Sequence, residues 1–254
     1  MLLARRMRIK EGTGLAAGRF GVGRLLHIFF PPACFVCGKE AEQPGLCDDC
    51  KGRLPYIRPP FCTKCGRPFA SDSGVSHLCH DCIKGRNRFV AARAVFEYSG
   101  DIVRLIQRFK FGDRVNLSSY LSDELLGLYG AHLSSKGIAA IIPVPLSVRR
   151  LKHRSYNQTR LLAAGLSGRL SIPLYQDVLE KIKETPPQSR LSAKERHENV
   201  KHAYRAADRH ALRGRPVLLV DDVITTGATV NACVSALRKA GIRRVYVLAL
   251  AMRV

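Results

Sequence analysis

The sequence of 254 residues is poor in acidic side chains and in long apolar runs, and it contains no tryptophan. Only 20 residues are acidic against 42 basic ones, which gives a formal net charge of +22. Such an excess favours polyanionic partners such as nucleic acid, nucleotides or anionic lipid, although a solvated basic surface without a partner is also compatible with it. The excess lies outside residues 34–82, where 6 basic and 6 acidic side chains balance.

No stretch of the sequence reaches the ~18–20 apolar residues that a membrane-spanning helix needs. The apolar run at residues 25–30 is too short, and Pro31 and Pro32 end it. Because no small-residue cleavage site follows this run, we expect neither a signal peptide nor a membrane span, and we predict a cytoplasmic chain. Residues 1–23 have no clear pattern and are predicted to form a basic, disordered arm.

Eight of the nine cysteines form four Cys-x-x-Cys pairs, which repeat as two similar units. The first cysteine unit spans residues 34–50 and the second spans residues 62–82. Both read Cys-x-x-Cys-Gly-basic, then a polar loop, then Leu-Cys-x-Asp-Cys. Two such pairs complete a tetrahedral four-thiolate site, so we predict one structural Zn²⁺ per unit. The predicted ligands are Cys34, Cys37, Cys47 and Cys50, and Cys62, Cys65, Cys79 and Cys82.

Two alternatives to this zinc assignment stay open. Ligands shared between the units would give a cross-braced arrangement, and an oxidising compartment would favour disulfides. His77 and His80 are spare potential ligands, but four cysteines per unit already complete the coordination. The ninth cysteine, Cys233, falls on the apolar face of a predicted helix, so we expect it to pack in the core.

Residues 217–229 predict a phosphate site. Four apolar residues indicate a buried strand, Asp221 and Asp222 follow at its end, and a helical pattern begins near Ala228. Amides at a helix N-terminus lie at the positive end of the helix dipole and bind anions, and Gly227 lets an anion approach the backbone closely. The predicted phosphate loop consists of Thr225, Thr226, Gly227, Ala228 and Thr229.

The two carboxylates only accept hydrogen bonds, so they would repel a phosphate unless they face a sugar or the hydration shell of a metal ion. Phosphate donors and sugar acceptors one turn apart suggest a ribose 5-phosphate. The alternative, a buried strand with a capped helix, leaves two adjacent carboxylates in an apolar setting without a role, which is costly. Asp221 and Asp222 are therefore the candidate catalytic residues.

The rest of the pattern predicts a parallel α/β sheet, in which ligands bind at the carboxyl ends of the strands. Strands are expected at residues 94–98, 139–145, 217–220 and 245–250, and helices at 103–109, 117–129, 155–170 and 228–240. A dense cluster of phosphate-binding groups follows the second strand, and we expect it beside the two carboxylates. It consists of Ser147, Arg149, Arg150, Lys152 and Arg154.

Residues 217–229 resemble the signature of the type I phosphoribosyltransferases, in which an acidic pair binds the ribose hydroxyls of phosphoribosyl pyrophosphate and the loop binds its 5-phosphate. Residues 24–254 resemble the ComF branch of that family. Ser155 departs from the pattern, because the family often has glycine at that position. The segments that carry the resemblance are LLHIFFPPACFVCG, the two cysteine units, Ile142-Pro-Val-Pro145, Arg154-Ser-Tyr-Asn-Gln158, Gln188-Ser-Arg-Leu191, Arg196 and Asn199-Val200.

The resemblance implies a Rossmann-like parallel sheet in residues 90–254, preceded by a double zinc ribbon in residues 24–85. It also implies that the loop from Pro145 to Arg149 holds pyrophosphate, with Mg²⁺ bridging pyrophosphate and ribose oxygens. By the same resemblance, Arg154, Asn157 and Gln158 would line the site. Residues 185–209 would form a hood over it, and no reader of an acceptor base is recognisable there.

Two functions are compatible with these features. A phosphoribosyltransferase would let a nucleophile displace pyrophosphate at the anomeric carbon. A non-catalytic adaptor that kept the nucleotide site would instead bind single-stranded DNA and a helicase-like competence protein, through its zinc module and its basic surface. The resemblance allows both, because ComF-like proteins are associated with DNA uptake in natural competence and some relatives with carbon-source utilisation. Fold and loop indicate what can bind and do not prove turnover.

Overall fold

The computed structural model describes residues 32–41, 45–70, 74–111, 116–147, 151, 156–183 and 202–254. The predicted basic arm, Arg149, Arg154 and most of the predicted hood lie outside these ranges. The described strands are β1 (Ala91–Glu97), β2 (Ala140–Pro143), β3 (Leu179–Lys181), β4 (Tyr204–Ala206), β5 (Pro216–Ile224) and β6 (Arg244–Met252). The described helices are α1 (Asp48–Gly52), α2 (His80–Ile83), α3 (Gly100–Phe111), α4 (Leu117–His132), α5 (Gln158–Leu170) and α6 (Ala228–Lys239), with 3₁₀ turns at Ser134–Lys136 and His210–Leu212.

The predicted parallel sheet is confirmed, with the strand order β1–β6–β5–β2. β5 is longer than the sequence pattern predicts and continues through both aspartates. The reason is its neighbour, since β6 runs on to Met252 and pairs with β5 as far as Ile224. The antiparallel pair β3–β4 lies outside this sheet and was not predicted.

Alternate residues along the central strands face two separate cores. Val217 and Leu219 of β5 lie in the core that α6 covers, whereas Leu218 and Val220 lie in the core of α3, α4 and α5. Strands buried on both faces need a continuous apolar run, which is the pattern that precedes Asp221. Cys233 is fully buried in the α6 core, as its place on the apolar helix face predicts.

The two cysteine units attach to opposite faces of the sheet. Cys62, Cys65 and Cys82 of the second unit belong to the buried core on the α6 side. In the first unit and the segment after it, Phe35 and Leu54 belong to the core on the side of α3, α4 and α5. The cysteine-rich segment therefore contributes to both cores that enclose the sheet.

The segment between the two units covers the outer edge of the sheet at β1. The amide of Ile57 donates to the carbonyl of Val95 at 2.9 Å, and the amide of Glu97 donates to the carbonyl of Pro55 at 2.8 Å. Unpaired strand edges invite association with other chains, so this cover satisfies groups that would otherwise be a liability. Across the described ranges, every helix is too short or too polar to cross a lipid bilayer.

Candidate functional site

The predicted phosphate loop joins the end of β5 to the start of α6. Gly227 caps the helix with φ +74°, a left-handed conformation in which a residue with a Cβ is strained. The hydroxyl of Thr226 accepts from the amide of Ala228 at 3.4 Å, and the amide of Asn231 donates to the carbonyl of Gly227 at 2.8 Å. The first turn of a helix has amides without helical carbonyl partners, and here that turn borders a cleft.

This cleft has a volume of about 200 Å³ and lies at the carboxyl ends of β5 and β2. The amide of Val144 donates to the carbonyl of Val220 at 2.9 Å, which holds the loop after β2 next to the aspartates. The structure thus brings three predicted groups together: the phosphate loop, the acidic pair and the loop after β2. The predicted site residues in the cleft wall are Pro145, Ser147, Asp221, Asp222, Thr225, Gly227 and Thr229.

The two aspartates differ in their surroundings. Asp221 is buried, and burial together with the neighbouring charge of Asp222 raises the pKa of its carboxyl to about 7. Its Oδ1 accepts from the amide of Asp222 at 2.8 Å. The Oδ2 of Asp222 lies 2.8 Å from the Nζ of Lys110, and the two side chains are 14% and 16% exposed. Asp222 is therefore the better placed of the two carboxylates to meet a charged or hydroxylated ligand.

Several side chains in the cleft wall were not predicted from the sequence. Lys110 lies in the last turn of α3 and stands 112 positions before Asp222, so only the fold brings the two together. Lys181 and Tyr204 come from β3 and β4, and their ammonium and ring lie 5.8 Å apart. A basic residue at the end of an amphipathic helix is the signal in the sequence that could have pointed to Lys110. The wall residues that the sequence did not predict include Tyr98, Lys110, Thr159, Lys181 and Tyr204.

Asn157 and Gln158 are buried and do not form part of the cleft wall. The side chain of Asn157 caps α5 by accepting from the amide of Thr159 at 3.1 Å. Gln158 is 1% exposed, and its Nε2 donates to the carbonyl of Lys110 at 3.1 Å. The contacts of both residues support neighbouring backbone, and their direct binding of substrate stays a prediction. Thr226 and Ala228 also lie in the phosphate loop outside the wall.

Each cysteine unit gathers its own four sulfur atoms into a group that fits a tetrahedral metal ion. Within each group the Sγ atoms all lie within 4.8 Å of one another. The Sγ atoms of Cys37 and Cys47 are 3.7 Å apart, and those of Cys65 and Cys79 are 3.6 Å apart. A tetrahedron with Zn–S bonds of ~2.3 Å has edges of about 3.8 Å, whereas a disulfide needs ~2.05 Å. The groups favour one zinc ion per unit over a cross-braced or disulfide arrangement.

Backbone amides of its own unit stabilise the first cysteine of each unit as a thiolate. Burial alone would raise the pKa of Cys34 and Cys62, but backbone amides that donate to the sulfur atoms bring both values down to about 6. The amide of Val36 donates to Cys34 at 3.4 Å, and the amide of Cys79 donates to Cys62 at 3.3 Å. A thiolate is the form that binds Zn²⁺, so the local backbone favours the metal-bound state.

Comparisons with known proteins agree with this site. Residues 25–83 match the family model of the double zinc ribbon domain, and residues 158–253 match that of the phosphoribosyl transferase domain. The chain is 34% identical over 229 residues to Competence protein F of Haemophilus influenzae, covering 88% of this chain and 98% of the relative. The chain belongs to the ComF family. These matches confirm the predicted family and the double zinc ribbon, and with the two thiolate groups they support structural Zn²⁺.

Other ComF relatives carry related names. The DNA utilization protein YhgH of Escherichia coli O157:H7 is 32% identical over 224 residues, which cover 85% of this chain and 95% of that protein. Competence protein ComFC of Bacillus subtilis is 29% identical over 203 residues, which cover 77% and 79% of the two chains. The similarity to ComF proteins therefore extends over both the cysteine units and the sheet.

In this ComF chain, hydrogen bonds connect the second cysteine unit to the phosphate loop. Asn87 donates to the Sγ of Cys82 at 3.1 Å and accepts from the Nδ2 of Asn231 at 3.1 Å. The Oδ1 of Asn231 accepts from the amide of Arg88 at 2.9 Å. Asn231 lies in the first turn of α6. A series of side-chain hydrogen bonds therefore connects Cys82, a predicted zinc ligand, to the helix that follows the predicted phosphate loop.

Proposed function

We propose that this ComF-family protein binds phosphoribosyl pyrophosphate, or a related phosphoribosyl nucleotide, in the cleft and transfers its phosphoribosyl group to an acceptor. One observation carries the proposal: a phosphate-binding helix start, an acidic pair and the loop after β2 border the same cleft. Within this proposal, residues 24–85 form the zinc module and residues 90–254 the nucleotide-binding part. We place the reaction in the cytoplasm.

Each group of the cleft has a role that suits its chemistry. The phosphate loop would bind the 5-phosphate with amides and hydroxyls, and Asp222 would accept hydrogen bonds from the ribose hydroxyls. The loop that begins at Pro145 and Ser147 would hold the pyrophosphate, with Arg149 and Arg154 as further predicted contacts. The acceptor's electron pair would form the new bond to the anomeric carbon while the bond to pyrophosphate breaks, and the electron pair of that bond would leave with pyrophosphate.

Mg²⁺ is the metal ion that the resemblance implies for the substrate. In the described part of the chain, the two cysteine groups are the clusters of three or more potential metal ligands within reach of one another. Asp222 faces the ammonium of Lys110, and Asp221 is buried. The described residues therefore fit an ion held mainly by phosphate oxygens and water, as Mg²⁺ often is. When bound, it would neutralise the charge of the leaving pyrophosphate.

The proposal is tested by calorimetric titration with phosphoribosyl pyrophosphate and Mg²⁺, and by an assay for pyrophosphate release across candidate acceptors. Asp222→Asn keeps the shape of the side chain but removes its charge, so we expect affinity to fall by ~10–100-fold, as for a hydrogen bond to a charged acceptor. Asp123→Asn is the matched control, because Asp123 pairs with Arg169 at 2.7 Å on the surface, outside the cleft wall. Equal affinity of both variants would refute the proposed site.

A second candidate function is the binding of single-stranded DNA as an adaptor. Exposed basic side chains lie at the amino ends of β5 and β6 and at the end of α6. They form a basic edge at the end of the sheet where these strands begin, opposite the carboxyl ends that border the cleft. Among them, Arg213 forms an ion pair with Asp208 at 2.5 Å. This surface suits a phosphate backbone and leaves the cleft free. Its members are Arg213, Arg215, Arg238, Lys239, Arg243 and Arg244.

Salt dependence separates this adaptor function from the transferase. If the basic edge binds DNA, affinity for an oligonucleotide should fall steeply with salt. The double variant Arg243→Ala/Arg244→Ala should flatten the slope of log K against log salt by ~1.4, as expected from ~0.7 for each of two lost phosphate contacts on a single strand. Asp222→Asn should leave DNA binding unchanged. A flat salt dependence of the wild type would exclude this surface as a DNA site.

A further inference from the structure

Lys110 forms an ion pair with Asp222, the carboxylate that the proposed function assigns to the ribose hydroxyls. Its ammonium lies 2.8 Å from the Oδ2 of Asp222, and both side chains are largely buried in the wall of the cleft. A ribose hydroxyl that reaches Asp222 must therefore take the place of this ion pair or share the carboxylate with it.

The end of α3 is fixed so that Lys110 cannot simply withdraw with its helix. The hydroxyl of Tyr156 donates to the carbonyl of Phe109 at 2.6 Å, and Gln158 donates to the carbonyl of Lys110 at 3.1 Å. The last carbonyls of a helix have no helical partner, so these two bonds satisfy groups that would otherwise be open. When the ammonium leaves Asp222, it stays in the cleft because its backbone stays in place.

Separating a buried ion pair without compensation is expensive, because each charge then lies in a medium that solvates it poorly. Phosphoribosyl pyrophosphate supplies both replacements at once: hydroxyls for the carboxylate and phosphate oxygens for the ammonium. Ribose 5-phosphate supplies the hydroxyls and an anion for the phosphate loop, but it has no pyrophosphate. The exchange would therefore favour the diphosphate-bearing ligand.

We propose that Lys110 is an exchangeable counterion, which moves from Asp222 to the pyrophosphate group when the ribose binds the carboxylate. This inference rests on the proposed function and names what makes the cleft selective. The ammonium then lies where negative charge develops on the leaving group, which stabilises that charge in the transition state. Lys110 thus has two partners in turn, Asp222 before the ligand binds and the pyrophosphate group afterwards.

The test compares two ligands by calorimetric titration of the full chain: phosphoribosyl pyrophosphate with Mg²⁺, and ribose 5-phosphate. Lys110→Met removes the charge but keeps the length of the side chain. We expect its affinity for phosphoribosyl pyrophosphate to fall by at least ~10-fold, as for other truncated charge pairs. Its affinity for ribose 5-phosphate should stay the same or rise, because no ammonium then competes with the ribose hydroxyls for Asp222.

Two further variants keep the test independent of folding defects. Lys110→Arg retains the charge and should keep most of the preference for the diphosphate ligand, which a purely structural lysine would not predict. Gln158→Leu loosens the carbonyl of Lys110 and should weaken the same preference by a smaller factor. Thermal unfolding of each variant shows whether the fold is retained.

The outcomes are distinguishable. An equal loss for both ligands in Lys110→Met would make Lys110 a structural residue and overturn the exchange, while leaving the proposed function in place. Tighter binding of both ligands would mean that Lys110 only competes with the ligand for Asp222 and does not contact the pyrophosphate, which also overturns the exchange. A wild-type chain that binds neither ligand would overturn the proposed function and the exchange together.

Discussion

The two cysteine units share a sequence pattern and a sulfur geometry, yet they differ in what surrounds them. In the first unit Cys37 is exposed and Cys47 half-buried, and the neighbouring contacts go to the helices on one face of the sheet. In the second unit three of the four cysteines are part of the buried core beneath α6. The first unit contributes Phe35 to the core on its side of the sheet, whereas the second contributes three of its four cysteines to the core on the other side.

The polar contacts of the units diverge in the same way. The last cysteine of each unit accepts one side-chain donor, from Arg53 to Cys50 at 3.2 Å and from Asn87 to Cys82 at 3.1 Å. Arg53 faces Asp101 at 3.8 Å near the surface, while Asn87 continues to Asn231 in the first turn of α6. A repeated motif can therefore have one metal chemistry and two structural roles.

The largest difference is expected when one zinc ligand is removed from each unit. Cys82→Ser takes a ligand from the second unit, where zinc binding contributes to the core of the sheet, and we expect a loss of more than ~5 kcal/mol in unfolding free energy, comparable to the stability of a whole domain. Cys50→Ser should lose one zinc ion per chain but keep a cooperative unfolding transition. Zinc analysis measures the metal content of the two variants, and thermal unfolding measures their stability. Equal losses of stability would mean that the two units contribute equally to the fold.

A smaller difference is expected from two glycines that share one backbone conformation. Gly38 and Gly66 each have φ +76°, so an alanine at either position suffers the same left-handed strain of ~1–2 kcal/mol. A Cβ on Gly38 meets open space, whereas a Cβ on Gly66 would lie 2.7 Å from the carbonyl oxygen of Ala92 in β1. Because that oxygen belongs to the backbone, Gly66→Ala should be less stable than Gly38→Ala by a further ~1–3 kcal/mol.

Urea unfolding of the two alanine variants gives this difference directly. Because the two positions share the same φ, each variant is the control for the other. The difference between their unfolding free energies reports the contact between the second unit and β1. If the two variants unfold at the same urea concentration, the second unit can shift away from the sheet at little cost. Its description as part of the core would then be wrong.

Local patterns in the sequence were enough to predict much of this fold. A run of apolar residues before Asp221 predicted β5, and the two Cys-x-x-Cys pairs in each unit predicted its thiolate group, because in both cases the chemistry lies within about twenty residues. The connection from β5 to α6 was predicted for the same reason, and its binding of phosphate stays a prediction. Three-residue strands such as β3 and β4 carry too few residues to show any alternation, so they were missed.

Contacts between distant residues could not be predicted. Lys110 meets Asp222 across 112 positions, and Asn87 meets Asn231 across 144, so no spacing in the sequence relates them. Asn157 and Gln158 illustrate a second limit. The family resemblance implied a ligand-binding role for them, but polar side chains also satisfy buried backbone groups, and only the packing shows that they do so here.

The smallest expected effect tests whether the second unit is coupled to the phosphate loop. Asn87→Ala and Arg53→Ala each remove the side-chain donor to a zinc-ligating sulfur, so both should weaken zinc retention by ~10-fold, as loss of such donors does at other metal sites. Only Asn87→Ala also removes the hydrogen bond that the Nδ2 of Asn231 donates to Asn87. We therefore expect it to lower the affinity for ribose 5-phosphate by a few-fold, while Arg53→Ala leaves that affinity unchanged.

Asn231→Ala separates the metal from the loop in this comparison. It leaves the bond from Asn87 to Cys82 in place but removes the bonds to Asn87 and to the amide of Arg88, so it should reproduce the loss of phosphate affinity without the loss of zinc. Competition with a chelator measures zinc retention, and calorimetry measures phosphate binding. If Arg53→Ala lowers phosphate affinity as much as Asn87→Ala, the effect reflects general destabilisation, and the two units are equally remote from the site.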